Sequence, residues 1–247
     1  MRWPALAGLF FGLAALVRAS HLLCVPLMAV LWVVLRRFEK ATIGKAAVML
    51  GVFVACLAPW TARNWWASGG HLVVTTLRTG PSLYEGLNPK ATGGPMMDAI
   101  NWDTGEEGMT EWEKNRYWRQ RALGFARENP RRVAQLALAK LRRFWSVVPN
   151  LPELRKPVIV VGLGGAYVVV VLLALAGLVK AWRRWDVGLI LVIPVVYHSL
   201  LHTVFVGSIR YRLAVMPLVV VLAAHGAAGL WQAARERAGE RRAQGQV

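Results

Sequence analysis

The sequence predicts an all-α membrane protein with about six transmembrane helices and one long extramembrane loop that contains amphipathic helices. Three observations predict it. Of 247 residues, 56% are hydrophobic, against about 45–50% for a typical soluble domain, and the mean hydropathy is +0.41. The apolar residues fall in blocks of roughly 17–25, the length that spans a bilayer as a helix. Basic residues gather just outside those blocks, as Arg36-Arg37, Lys180, Arg183-Arg184 and the Arg-rich tail from Arg235. That placement orients membrane helices. It explains many of the basic residues behind the formal charge of +17 without invoking nucleic acid, while the charge of the long loop needs another reason.

The blocks run Trp3–Val17, Ser20–Leu35, Gly44–Trp60, Val158–Val179, Val187–Val206 and Leu213–Gln232. The first imitates a signal peptide, with Val17-Arg18-Ala19 faintly like a cleavage site. A second block starts almost at once, at His21, so a helical hairpin is the better reading. Pro26, Pro59, Pro194 and Pro217 lie in or near spans, where membrane helices tolerate proline if neighbours re-satisfy the freed carbonyls. Cys24 and Cys56, the only cysteines, fall inside apolar blocks and read as packing residues. Gly8, Gly12 and Gly162-Leu163-Gly164-Gly165 read as small residues that allow close helix contact.

Alternation puts three basic clusters on one side: Arg36, Arg37, Lys40 and Lys45; Lys180, Arg183 and Arg184; and Arg235, Arg237, Arg241 and Arg242. That side is cytoplasmic, so both termini are inside. The organisation is then residues 1–60 as three spans, 61–157 as a periplasmic loop, 158–232 as three spans and 233–247 as a basic tail.

Within the loop, His71–Thr76 alternates and is β-branched, which predicts a short strand. Gly80–Gly94 is rich in Gly, Pro and Asn and predicts a structured turn region. Thr110–Glu128 and Pro130–Trp145 predict two amphipathic helices broken at Asn129-Pro130, with Thr110 and Glu113 forming a capping box. The second helix pairs Val133, Leu136, Ala137, Leu141 and Phe144 with Arg131, Arg132, Lys140, Arg142 and Arg143. Two readings stand for it: a helix lying on an anionic membrane surface, or one packed on neighbouring loop structure.

Three features go beyond packing. The first is Pro59-Trp60-Thr61-Ala62-Arg63-Asn64, where a span ends outside. The second is Leu83 to Gly93, with Tyr84 and Asn88. The third is His198 to His202, followed by Arg210-Tyr211-Arg212. Arg63, Arg210 and Arg212 on one membrane face suit a phosphate held at the lipid surface. His198 and His202 share a helix face, but no Glu or third ligand is nearby, so no metal site is assigned. A polar pocket, or packing against Tyr197 and Tyr211, is the expected role. Asp98, Asp103, Glu106, Glu107, Glu111 and Glu113 form an acidic run that reads as a solvated surface.

At these features the chain resembles the bacterial GT-C membrane glycosyltransferases, in the branch related to aminoarabinose transferase and the protein mannosyltransferases. The resemblance rests on LAPWTARNW, LYEGLNPKATG, ENPRRVAQLALAKLRRFW and YHSLLHTVFVGSIRYRLAVMPLVVVLAAHG, in that order, and covers almost the whole chain. It implies transfer of a sugar from a polyprenyl-phosphate donor to an acceptor at the outer face of the bacterial cytoplasmic membrane. No cofactor follows from it, and a divalent metal is left open. Arg63, Arg210 and Arg212 would stabilise the leaving phosphate, with Asn64, Tyr84, Asn88, His198, His202 and Tyr211 lining the pocket. The family's catalytic carboxylate lies in its first outside loop, whereas the corresponding turn Arg18–Ser20 has none. The expectation is a C-terminal portion, inactive alone, that needs an N-terminal half or a partner protein. The rival expectation is a non-catalytic membrane subunit that binds lipid-linked sugar or a partner.

Overall fold

The structure is a computed structural model that describes residues 1–96, 100, 108–181 and 185–244, with backbone only at 185–187 and 240–244. Among the described residues it is all helical. Three helices are long and apolar enough to cross a membrane: Lys40–Ala67, Pro157–Ala181 and Met216–Gly239. Arg2–Val17, Ala19–Leu35 and Gly188–Val204 are apolar but shorter. The chain divides into two compact units, residues 1–144 with 197–208 and residues 145–196 with 209–247.

In the first unit, α1 (Arg2–Val17) and α2 (Cys24–Leu35) pack on α3 (Lys40–Ala67). Their core is Ala15, Val25, Ala29, Ala46, Met49, Phe53 and Leu57. Gly12 lets α1 sit against α3, because a Cβ there would lie 2.6 Å from that of Cys56. Pro26 falls in the first turn of α2, where its missing N–H is not needed. Pro59 is interior to α3. With 28 residues, α3 is about 42 Å long, against roughly 30 Å of bilayer hydrocarbon. It is therefore longer than an apolar layer requires, by about 12 Å.

The expected strand at His71–Thr76 is absent; this segment is irregular. A β-branched run needs a partner strand for its ladder, and none exists among the described residues. Side chains of α3 take over: Asn64 Nδ2 donates to Val73 O at 3.1 Å, Thr61 Oγ1 to Val74 O at 3.2 Å and Trp60 Nε1 to Thr75 O at 2.9 Å. The expected turn region opens instead as a helix, α4 (Thr79–Gly86). Gly80 donates its N–H to Asn115 Oδ1 at 2.6 Å.

Helix α5 (Glu111–Glu128) starts at the expected capping box, with Thr110 Oγ1 accepting from Glu113 N and Glu113 from Thr110 N. Its Trp118 and Ala122 are fully buried. Helix α6 (Pro130–Phe144) buries Leu136, Lys140 and Phe144, so the face carrying them is packed rather than exposed to a membrane.

The second unit contains α7 (Pro157–Ala181), with a π-helical turn at Val160–Gly164, most of α8 (Trp185–Val204), α9 (Ile209–Arg212) and α10 (Met216–Gln244). Its core is Ala174, Ala181, Val219, Leu222 and Ala223. The expectation of close contact at Gly162 and Gly165 is corrected: a Cβ at either meets nothing within 4 Å. The close approach falls instead at Gly177 and Gly226. A Cβ on Gly177 would meet Leu222 O and lie 2.9 Å from Gly226 N, and one on Gly226 would lie 2.7 Å from Gly177 N.

Overpacking at such a contact costs about 1–3 kcal/mol. Gly177→Val should lower the thermal midpoint of the detergent-solubilised chain by several degrees. Gly165→Ala, made in open space, should leave it unchanged or raise it, since alanine favours helix by about 1 kcal/mol. Equal midpoints for the two variants would remove Gly177 from the helix contact.

Candidate functional site

Where α3 ends, the first unit has a cleft of about 780 Å³. One wall comes from α3 (Trp60, Arg63, Asn64), another from the irregular segment (His71, Val73, Thr75, Thr76), and a third from the start of α5 (Thr110, Glu111, Trp112, Glu113, Arg116). The walls are held together by the carbonyl contacts of Asn64 and Trp60 and by a parallel stack of His71 on Trp112, centroids 4.3 Å apart.

Arg63 is exposed. Its guanidinium lies 5.4 Å from the Trp60 ring centroid and donates to Asn64 Oδ1 at 3.2 Å. Of the acidic run, Asp98, Asp103, Glu106 and Glu107 lie outside the described residues. Glu113 is engaged by the capping box, and hydrogen bonds from the Thr110 backbone and hydroxyl hold its carboxyl below the usual range. Glu111 lines the cleft and is exposed. Two guanidiniums, aromatic walls, hydroxyls and a carboxylate are groups that hold a phosphorylated polyol.

The other expected residues lie elsewhere. Tyr84 packs on Trp118, centroids 4.6 Å apart, under the Arg121 guanidinium. Asn88 is buried, with Nδ2 donating to Tyr84 O at 2.7 Å and Oδ1 accepting from Lys90 N at 2.9 Å. It closes the turn after α4. His198 is buried, with Nε2 3.2 Å from His21 Nδ1 and Tyr197 against its ring. His202 Nδ1 lies 3.0 Å from Val206 O, and since a carbonyl only accepts, that nitrogen carries the proton. No group of three His, Cys, Asp or Glu is placed to hold a metal among the described residues.

In the second unit, Arg212 donates to Ser146 O at 2.6 Å and lies 3.8 Å from the Tyr167 ring centroid. Arg210 is exposed and donates to the Tyr211 hydroxyl at 3.2 Å. Arg63 and Arg210 thus present guanidiniums to solvent, while Arg212 is a half-buried strut.

The sequence reading missed Lys140. It is 0% exposed, and its Nζ donates to Val204 O at 2.7 Å, at the C-terminus of α8. No ion pair to it exists among the described residues, and burial pulls its pKa down to about 8. Glycines make the room. A Cβ on Gly86 would lie 3.0 Å from Nζ, and one on Gly207 would meet the Lys140 backbone. A signal was present: Lys140 lies four residues after Leu136 and four before Phe144, on the buried stripe.

The lowered value sets a sign. Between about pH 8 and the ordinary lysine value the unfolded chain holds a proton that the folded chain does not, so stability rises with pH there. The burial cost, about 3–4 kcal/mol, is fully present below pH 8. The thermal midpoint should climb over that interval, and Lys140→Met should flatten the climb; an unchanged slope would remove Lys140 as its source. Arg212→Ala should cost about 2 kcal/mol through the lost carbonyl and ring contacts, whereas Arg63→Ala should leave the midpoint unmoved. No protein family matches the chain, and no curated protein or solved structure does either.

Proposed function

We propose that the chain is the C-terminal part of an integral membrane glycosyltransferase, which moves a sugar from a polyprenyl-phosphate donor to an acceptor at the periplasmic face. The observation that carries this reading is the cleft at the C-terminal end of α3, a helix long and apolar enough to cross a membrane. It has an exposed guanidinium, Arg63, beside polar and aromatic walls. A donor with a polyprenyl tail in the bilayer needs its phosphate met at that level. The sequence resemblance supplies the reaction class.

The shorter apolar helices, Arg2–Val17, Ala19–Leu35 and Gly188–Val204, complete six spans in this reading. The basic short loops are then cytoplasmic in a bacterial inner membrane. In the transfer, the acceptor hydroxyl attacks the anomeric carbon as a carboxylate takes its proton. The bond from that carbon to the phosphate oxygen breaks with inversion, and the phosphate leaves with the electron pair. Arg63 meets its growing charge. The connection from α1 to α2, Arg18 to His21, offers no carboxylate, so the base comes from another segment. That same absence supports the second reading, a membrane subunit that binds lipid-linked sugar without turning it over.

A radiolabelled polyprenyl-phosphate sugar tests both. The purified chain should bind it and release no labelled product, and Arg63→Ala should weaken binding by about tenfold or more. Reconstitution with the N-terminal half should restore transfer, with Arg63→Ala about a hundredfold slower. Absence of binding sinks the transferase and subunit readings together. Turnover by the chain alone would show that it carries its own base, with Glu111→Gln the variant to make next.

A further inference from the structure

Helices α5 and α6 carry the same outward pattern. On α5 the residues are Arg116, Gln120, Leu123 and Arg127. On α6 they are Arg131, Gln135, Leu138 and Arg142, each fifteen positions later with identical spacing. All eight are exposed, the two leucines by 41% and 50%. Each helix turns the opposite side inward, Trp118 and Ala122 on α5 and Leu136, Lys140 and Phe144 on α6. Two residues along a helix is a rotation of about 200°, so Gln120 lies opposite Trp118, Leu138 opposite Leu136 and Arg142 opposite Lys140. The matched stripes are therefore not continuations of the core.

We infer that these stripes dock on the anionic phospholipid surface of the membrane that the chain itself crosses. Neither stripe contains an acidic residue, and guanidiniums bind phosphate in a bidentate fork. Each stripe sets one exposed leucine between its arginines, placed to enter the boundary between headgroups and acyl chains. A purely aqueous polyanion gives that leucine no apolar contact. The chain also supplies the tether. The two helices lie in sequence between α3 and α7, both long and apolar enough to cross a membrane, so lipid phosphate is at high local concentration. Arg116 also lines the cleft, which places the first arginine of the α5 stripe beside it.

The test uses the full chain in nanodiscs of phosphatidylcholine, alone or mixed with phosphatidylglycerol. A dansyl amino acid replaces Leu138, and lipids brominated near the glycerol serve as quencher. Emission should be blue-shifted and quenched in the anionic discs and much less so in the neutral ones. Each guanidinium at an anionic surface strengthens contact about fivefold. Arg131→Gln with Arg142→Gln should therefore weaken the contact equilibrium about twenty-five-fold, and molar salt should weaken it likewise. Both arginines are exposed, so an unchanged thermal midpoint confirms that the variant is folded. If it is not, the probe moves to Leu123 with Arg127→Gln. A probe that stays in water in both discs overturns the inference, whatever acidic protein co-purifies, and so does quenching that ignores the arginine changes.

Discussion

Backbone carbonyls left over at helix ends must find donors, and much of this fold follows from how they find them. A helix leaves its last four carbonyls without an internal partner, and the penalty is severe where water is excluded. Here long side chains from distant segments supply the donors. Lys140 reaches Val204 O, the last carbonyl of α8, and in the segments just past helix ends Arg143 reaches Gly207 O at 3.3 Å and Arg212 reaches Ser146 O. The irregular segment after α3 is held in the same way, by Asn64, Thr61 and Trp60. The bonds from Asn64 and Trp60 fix two walls of the cleft through backbone satisfaction, and the His71–Trp112 stack joins the third.

This economy has an effect on the polar residues themselves. Asn88, His202 and Arg212 look like ligand-binding groups in the sequence, yet each is engaged by a backbone carbonyl of its own unit. Arg63 differs because it donates to a neighbouring side chain, Asn64, and its guanidinium remains exposed. Binding capacity at the end of α3 thus depends on which donors the fold leaves over.

The legible parts were those set by local physics. Apolar length placed the long helices, and Thr110 with Glu113 marked the start of α5 to the residue. The illegible parts depend on segments far apart in the chain. The alternation of His71–Thr76 reads as a strand, but the sequence does not show that no partner strand arrives. Gly177 and Gly226 are unremarkable within their own helices, and only packing shows that each faces the other's backbone. In the site, Arg63 and Asn64 were legible because a span ends there. Trp112 and Arg116 were not, since they reach the cleft from about fifty positions further along the chain.

The Lys140 contact also has a consequence in time. Its acceptor lies 64 residues further along the chain. At synthesis rates of about 5–20 residues per second, a ribosome needs about 3–13 s to make that stretch. Over that interval the hollow beside Gly86 and Gly93 can form, but the carbonyl that anchors the ammonium does not yet exist. The loop therefore cannot finish folding when its own sequence is complete; it waits for the end of α8, which makes that helix the closing element of the first unit.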